Sequence, residues 1–369
     1  MDLLQNFGAA LIGFIIVVVS IPSIVKIAKA KNLFEPFEAR KVHTKQIPPL
    51  GGIAIFLGFT LSLLFSTSGL DSLKYFIAAI LILFFIGLKD DLLVMSAKSK
   101  LVFQILAALL VIIFGDVQIT NLHGVFRLYE IHYLFGVFIS LLLVLTIINA
   151  FNLIDGVDGL ASGLGIVAGL VFGTWFYISG HMQFAIISFA LVGSLAGFFI
   201  FNVFSTKNKL FMGDMGSLVV GLIISIIVIK FNEFNIVKTY AFSIKAAPSV
   251  SFAIIIIPLV DTFRVMCLRI YQGNSPFTPD RNHLHHRLLE LVGNHLGVTA
   301  IMIFTNLLFI GFAFFLNAFS INLNIQILLI LTTGIFLSLI PSQIISSRKV
   351  ATSATTKVFT IETGIMERA

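Results

Sequence analysis

Four short stretches of this 369-residue chain concentrate the residues that could do chemistry. LKDDLLVMSAKSK (88–100) sets two carboxylates, Asp90 and Asp91, at the end of an apolar run, with Lys89, Lys98 and Lys100 nearby. Adjacent carboxylates cost energy unless cations partner them, and a solvated loop is the plain alternative. NAFNLIDGVDGLASG (149–163) places Asn152, Asp155 and Asp158 three apart, so they share a face if the segment is helical. The glycines between them let a ligand or another backbone approach closely. Oxygen ligands on such a turn suit Mg2+, which binds through one or two carboxylates plus substrate phosphates; a Gly-rich turn with Asp caps is the alternative. KNKLFMGDMGSLVVG (207–221) repeats the theme with Asp214 entering a helix, where it is either a ligand or only a cap.

The fourth stretch, 258–293, carries Arg264, Arg269, Arg281 and Arg287 with His283, His285 and His286. HxHH could bind a transition metal, yet no Cys or further His completes a set. Arg and His beside carboxylates suit a diphosphate, because guanidinium groups grip phosphate oxygens in pairs. Oxygen ligands for Mg2+ and cations for phosphates together make the kit for phosphoryl transfer, which is mostly positioning and charge neutralisation. No Walker or kinase signature is present.

The elements that must position these residues are membrane helices. The chain is 58% hydrophobic and only 11% charged, and apolar runs of spanning length recur from end to end. This predicts an all-α polytopic membrane protein with about eleven spans: 7–25, 50–66, 75–88, 101–114, 134–151, 164–178, 182–200, 211–229, 241–259, 298–317 and 324–343. The first reads as a retained helix, not a cleaved signal. Residues 1–345 form the membrane-embedded domain and 346–369 a short polar tail. Cys267 is alone, which excludes an intrachain disulfide.

Counted on alternate sides, nineteen of the 24 Lys and Arg fall on one face and five on the other. The positive-inside rule puts the rich face, and the C-terminus, in the cytoplasm and the N-terminus outside. Asp90, Asp91, Asn152, Asp155, Asp158, Asp214, Asp261, Asp280 and the histidine run all fall on that face. Ionisable residues from separate segments converging at one leaflet indicate a site. A transporter of anionic solutes is the rival class, but transporters hold polar groups at the midplane in repeated halves, and no repeat is visible. The net charge of +7 reflects the cytoplasmic excess and suits lipid headgroups and anionic substrates; nothing calls for nucleic acid.

KDDL (89–92), NAFNLIDGVDGLASG, FMGDMGSL (211–218) and SPFTPDRNHLHHRLL (275–289) resemble, in order, the polyprenyl-phosphate N-acetylhexosamine-1-phosphate transferases, of the glycosyltransferase family 4 type. RKVHTKQIPPLGG (40–52) resembles that family's first cytoplasmic loop. The HLHHRLL form is similar to the bacterial branch that begins O-antigen, enterobacterial common antigen or wall teichoic acid. It departs from the HHHxE run of the peptidoglycan enzyme that transfers phospho-MurNAc-pentapeptide.

The resemblance implies a multi-pass enzyme of the bacterial inner membrane with its site on the cytoplasmic face. Undecaprenyl phosphate would attack a UDP-HexNAc, release UMP and leave undecaprenyl-diphospho-HexNAc. GlcNAc is the favoured sugar; QuiNAc, FucNAc and GalNAc share the motifs. Mg2+, with Mn2+ as substitute, would be held by Asp214 and Asn152. Asp158 would read the uracil and Phe211 stack on it. Lys100, Arg281, His286 and Arg287 would bind phosphates beside His283 and His285. Asp90 and Asp91 match the acidic pair proposed to bind or deprotonate the lipid phosphate; Asp155, His283 and His285 join them as catalytic candidates, Asp155 either supporting a metal ligand or only capping the helix. A phosphate monoester has a second pKa of about 6, so the acceptor scarcely needs a base. A one-step displacement is favoured, with a covalent aspartyl-phosphate as the alternative. A homodimer is left open.

Overall fold

The computed structural model describes the backbone of residues 2–33, 47–67, 73–237, 242–273, 275 and 282–366, and their side chains except at 2–4 and 349–366. Thirteen helices and one hairpin make up the described residues. They are α1 (Asp2–Ala30), α2 (Gly51–Ser66), α3 (Lys74–Leu92), α4 (Ala97–Leu109, extended by a wide turn over Leu110–Phe114), β1 (Asn121–Val125) and β2 (Leu128–Glu130). Then follow α5 (Tyr133–Ile154), α6 (Leu160–Ile178), α7 (Met182–Val203), α8 (Gly213–Phe234), α9 (Ala247–Ile254), α10 (Ile256–Tyr271), α11 (Leu284–Val292), α12 (His295–Ala318) and α13 (Leu323–Met366).

Helix α8 is the axis of the bundle. Its apolar window is 89% buried, against 28% for α1 and 22% for α13. A helix apolar on every face has nowhere else to go. Helices α2, α3 and α5 pack around α8, α1 leans on α2 and α7, and α6 on α7. The outward faces of the helices keep large apolar side chains such as Phe85, Phe138 and Phe304 exposed, as lipid requires.

Among the described residues, eight helices are long and apolar enough to cross a membrane, nine if α9 and α10 count as one bent span. Of the eleven expected spans, α2 is shorter, at 16 residues, and α3 ends in charge. The span expected over 241–259 is corrected. Its helix begins at Ala247 and breaks at Ile255, and the chain turns by 75° before continuing to Tyr271. Pro258 explains the break: it has no N–H for the Ile254 carbonyl, and its ring crowds that oxygen. Buried Asn306 of α12 supplies the missing donor, from Nδ2 to Ile254 O at 3.0 Å. The expected loop 260–297 thus contains most of α10 and all of α11.

The hairpin was not expected. Phe126 and Arg127 turn at φ 51 and 66, the left-handed pair that joins strands tightly. It is held where Glu233 accepts from the Thr120 N–H (2.8 Å) and hydroxyl (2.7 Å). The hairpin lies at the end of α8 opposite Asp214.

Candidate active site

The last turns of α3 and α5 meet the first turns of α4 and α8 at one end of the bundle. Asp90 and Asp91 sit in the last turn of α3 and do different work. Asp90 Oδ1 accepts the Met95 N–H at 2.6 Å, closing the turn into α4, and its Oδ2 lies 3.2 Å from Lys100 Nζ. Asp91 points at α8: Oδ1 accepts the Asp214 N–H at 2.8 Å and Oδ2 the Met215 N–H at 3.1 Å. Its carboxylate therefore caps α8 from a neighbouring helix, against the positive end of the helix dipole. The local N-cap position, Met212, makes no such bond.

This division frees Asp214. Its Oδ1 accepts from Asn152 Nδ2 at 2.7 Å, and its Oδ2 pairs with Lys100. The reading of Asp214 as only a cap is corrected, because Asp91 holds that role. Asn152 Nδ2 also donates to Ser217 Oγ at 2.8 Å, which fixes the amide so that Oδ1 faces Lys100 Nζ at 3.3 Å. One ammonium thus meets Asp90 Oδ2, Asn152 Oδ1 and Asp214 Oδ2, three oxygens from α3, α5 and α8.

The chain reaches α8 through Gly213, at φ +71, where a Cβ would stand 2.4 Å from Pro49 O. Only glycine makes that approach. Around it, Pro48 O accepts the Phe211 N–H (3.1 Å), and Gly51 N–H donates to Phe211 O (2.9 Å). The described part of the IPPLGG segment is therefore bound to LFMGD; residues 40–46 of that loop lie outside the described residues.

The turn from α5 to α6 carries Asp155, Gly156 and Asp158. Asp155 ends α5, and burial, helped by the charges of Asp214, Asp91 and Asp158, pushes its carboxyl well above the ordinary range. Asp158 Oδ2 lies 2.6 Å from Lys209 Nζ and 3.3 Å from His295 Nδ1. Neither Lys209 nor His295 was singled out in the sequence, although Lys209 stands two residues before Phe211. The turn is pinned by Asn202, which accepts from the Gly159 N–H at 2.6 Å and donates to Leu210 O at 2.7 Å.

The histidine run forms the other wall. His283 and His285 direct Nδ1 at Asp261 Oδ2, at 3.3 and 3.2 Å. The His286 ring lies 4.3 Å from that of His285, and Arg287 Nη2 donates to Asn282 Oδ1 at 2.7 Å. Asp261, noted in the sequence only as a carboxylate on the same face, is thus the missing member of this group. Arg281 lies outside the described residues. The two walls touch at Gly156, where an added Cβ would stand 2.4 Å from His285 Nε2. Sequence-predicted residues therefore fall into an oxygen-and-lysine centre, a turn holding Asp155 and Asp158, and a histidine wall, in contact through one glycine.

Residues 73–232 match the family model "Glycosyl transferase family 4". The chain is 32% identical over 268 residues to an undecaprenyl-phosphate alpha-N-acetylglucosaminyl 1-phosphate transferase of Escherichia coli K12, covering 72% of this chain and 71% of that protein. The chain belongs to glycosyl transferase family 4. A Yersinia pestis protein of the same name is also 32% identical, covering 72% of each chain. A decaprenyl-phosphate N-acetylglucosaminephosphotransferase of Mycobacterium leprae is 31% identical over 71% of each. The family resemblance read from the motifs is therefore upheld, and this member of the family is a membrane-bound phosphosugar transferase. The matched segment, 73–232, contains the whole oxygen-and-lysine centre but ends before the histidine wall.

Proposed function

We propose that this protein transfers GlcNAc-1-phosphate from UDP-GlcNAc to undecaprenyl phosphate at the cytoplasmic face of a bacterial inner membrane. One observation carries the reading: Asp90, Asn152 and Asp214 oxygens from three helices surround a single ammonium. Hard oxygens that gather around a cation on one side, with a second side left for substrate phosphates, are the donor set Mg2+ prefers. Asp214 and Asn152 would hold the ion, and it would neutralise charge on the diphosphate.

The chain's own residues do the positioning. Asp91 orients the first turn of α8 and thereby the Asp214 carboxylate. Asn152 is locked by Ser217 with its oxygen inward. With Asp214 and Asn152 holding the ion, Lys100, which lies among three oxygens, would be the cation that contacts phosphate. A nonbridging oxygen of the lipid phosphate attacks the sugar-linked phosphorus. The new P–O–P bond forms as the bond to the UMP oxygen breaks, and UMP leaves with that electron pair. No proton need move, since the acceptor is mostly dianionic at neutral pH, its second pKa being about 6. A covalent aspartyl intermediate is disfavoured, because both oxygens of Asp91 and both of Asp90 are already engaged.

Asp158, paired with Lys209, and Phe211, two residues after that lysine, hold the uracil. His283, His285, His286 and Arg287 would hold the diphosphate. The face is assigned by the lysine and arginine excess.

The test is a membrane assay with undecaprenyl phosphate, Mg2+ and a panel of UDP-sugars, measuring UMP and the lipid-linked product. UDP-GlcNAc should be the best donor. Absence of UMP with every donor overturns the reading; a better rate with another HexNAc overturns only the choice of sugar.

A further inference from the structure

We propose that Asp261 is a positioning residue for the transfer. Through Nδ1–H of each ring it fixes the orientation of His283 and His285 and leaves Nε2 as the atom that meets the substrate. That contact with substrate rests on the function proposed above; the ring geometry stands without it.

Asp261 lies on α10 beyond the kink and is 1% exposed. A carboxylate so placed must have its lone pairs filled. Three donors fill them: His283 Nδ1 and His285 Nδ1 at Oδ2, and the Leu284 N–H at Oδ1, at 2.6 Å. Leu284 is the first residue of α11, whose own N-cap residue, His283, makes no side-chain cap. One side chain from α10 therefore caps α11 and binds two imidazoles at once. Their rings stack at 19° with centroids 5.4 Å apart.

Arg264, one turn along the same face of α10, reinforces this hold. Its Nη1 donates to Asn282 O at 2.6 Å, while Arg287 Nη2 takes the Asn282 side chain. Residues 282–285 are thus clamped by α10 on one side and α11 on the other.

With Nδ1–H given to Asp261, Nε2 is what each ring has left. The position of His285 Nε2 against Gly156 shows where that atom faces: the turn between Asp155 and Asp158. A charged imidazole there donates Nε2–H to a phosphate oxygen; a neutral one accepts from a substrate hydroxyl. Carboxylates that orient a functional histidine through its other nitrogen are the usual outer-shell partner.

Two imidazoles and a carboxylate, with ligand atoms within 4.8 Å, also satisfy the donor set of a transition-metal site. The hydrogen-bonded reading is favoured because Oδ1 is committed to a backbone N–H and the two rings share the other oxygen.

The experiment uses full-length protein, selectively 15N-labelled at histidine, in lipid nanodiscs. His283→Gln and His285→Gln assign the two rings. In the wild type both should show protonated Nδ1; bare Nδ1 at both overturns the proposal, whatever any variant does. Asp261→Asn keeps the shape but replaces an acceptor with an NH2. It should lose that signature and lower kcat by about 10–100-fold, with KM for the nucleotide donor little changed. Asp261→Glu should recover part of the rate. An unchanged histidine spectrum and kcat in Asp261→Asn overturns the proposal. So does stoichiometric zinc, iron or manganese in the wild type that the variant lacks. If no donor yields UMP, the proposed function fails, and the spectra still decide the tautomers.

Discussion

At Asp91, two backbone N–H groups converge on one carboxylate. Asp91→Ala should cost about 1 kcal/mol, the usual loss for a missing cap, read as a lowered melting temperature in detergent. Asp91→Asn keeps an acceptor oxygen and should retain measurable turnover, whereas a nucleophilic aspartate would not tolerate the change; a trapped phospho-enzyme would sink the positioning role. Asp214→Ala should lower Mg2+-dependent turnover by at least about 100-fold while the protein stays folded, since preorganised charge in a dry site has that weight. Gly156→Ala should push His285 aside, and a displacement near 1 Å costs about 100-fold in rate. Asp155 gives a pH effect of defined sign. Its folded-state pKa is raised, so its contribution to stability is complete below the unfolded value and is lost as pH rises through the folded one. In metal-free buffer, melting of the wild type should therefore fall toward alkaline pH more steeply than that of Asp155→Asn.

Among the elements, the bend between α9 and α10 decides the most. It carries Asp261 and Arg264 onto the histidine wall, and it depends on a side chain from a third helix. Asn306→Leu leaves the Ile254 carbonyl buried without a donor and should cost about 1–3 kcal/mol. Pro258→Ala restores an N–H to that carbonyl. The double variant should recover much of the loss, and a purely additive cycle would refute the link between the two residues. The run over 241–259 is apolar enough to read as one straight span, although Pro258 lies within it. Nothing in sequence says which carbonyl a proline orphans will find a donor on α12. The hairpin escaped notice for a related reason: HGVFRLYE has no Asn-Gly or Asp-Gly pair, yet Phe126 and Arg127 adopt the left-handed turn.

For the whole molecule, the charge asymmetry makes a topology prediction. In a Cys267→Ser background, Arg127→Cys should react with an impermeant thiol reagent added outside intact cells, and Lys207→Cys only after the membrane is opened. The reverse pattern would invert the assigned face. Chelation of divalent ions should abolish turnover in membranes, and Mg2+ or Mn2+ should restore it.

The membrane class, the helical fold and the family are legible in the chain by itself, because each rests on short-range information. Hydrophobic runs set by bilayer thickness, charge counts per connection and contiguous motifs survive without coordinates. The motif residues that gather at Lys100 were also visible, as types. What the tertiary structure decided is which atom faces which. Asp90 and Asp91 look alike in KDDL, yet one pairs with Lys100 and the other caps α8. Asp261, Lys209, His295 and Asn306 sit in unremarkable contexts and gain partners only when α10, α8 and α12 pack. A carboxylate's task is set by the donors within about 3 Å of it, and for Asp91 and Asp261 those donors come from other helices, 22 to 124 residues away in the chain.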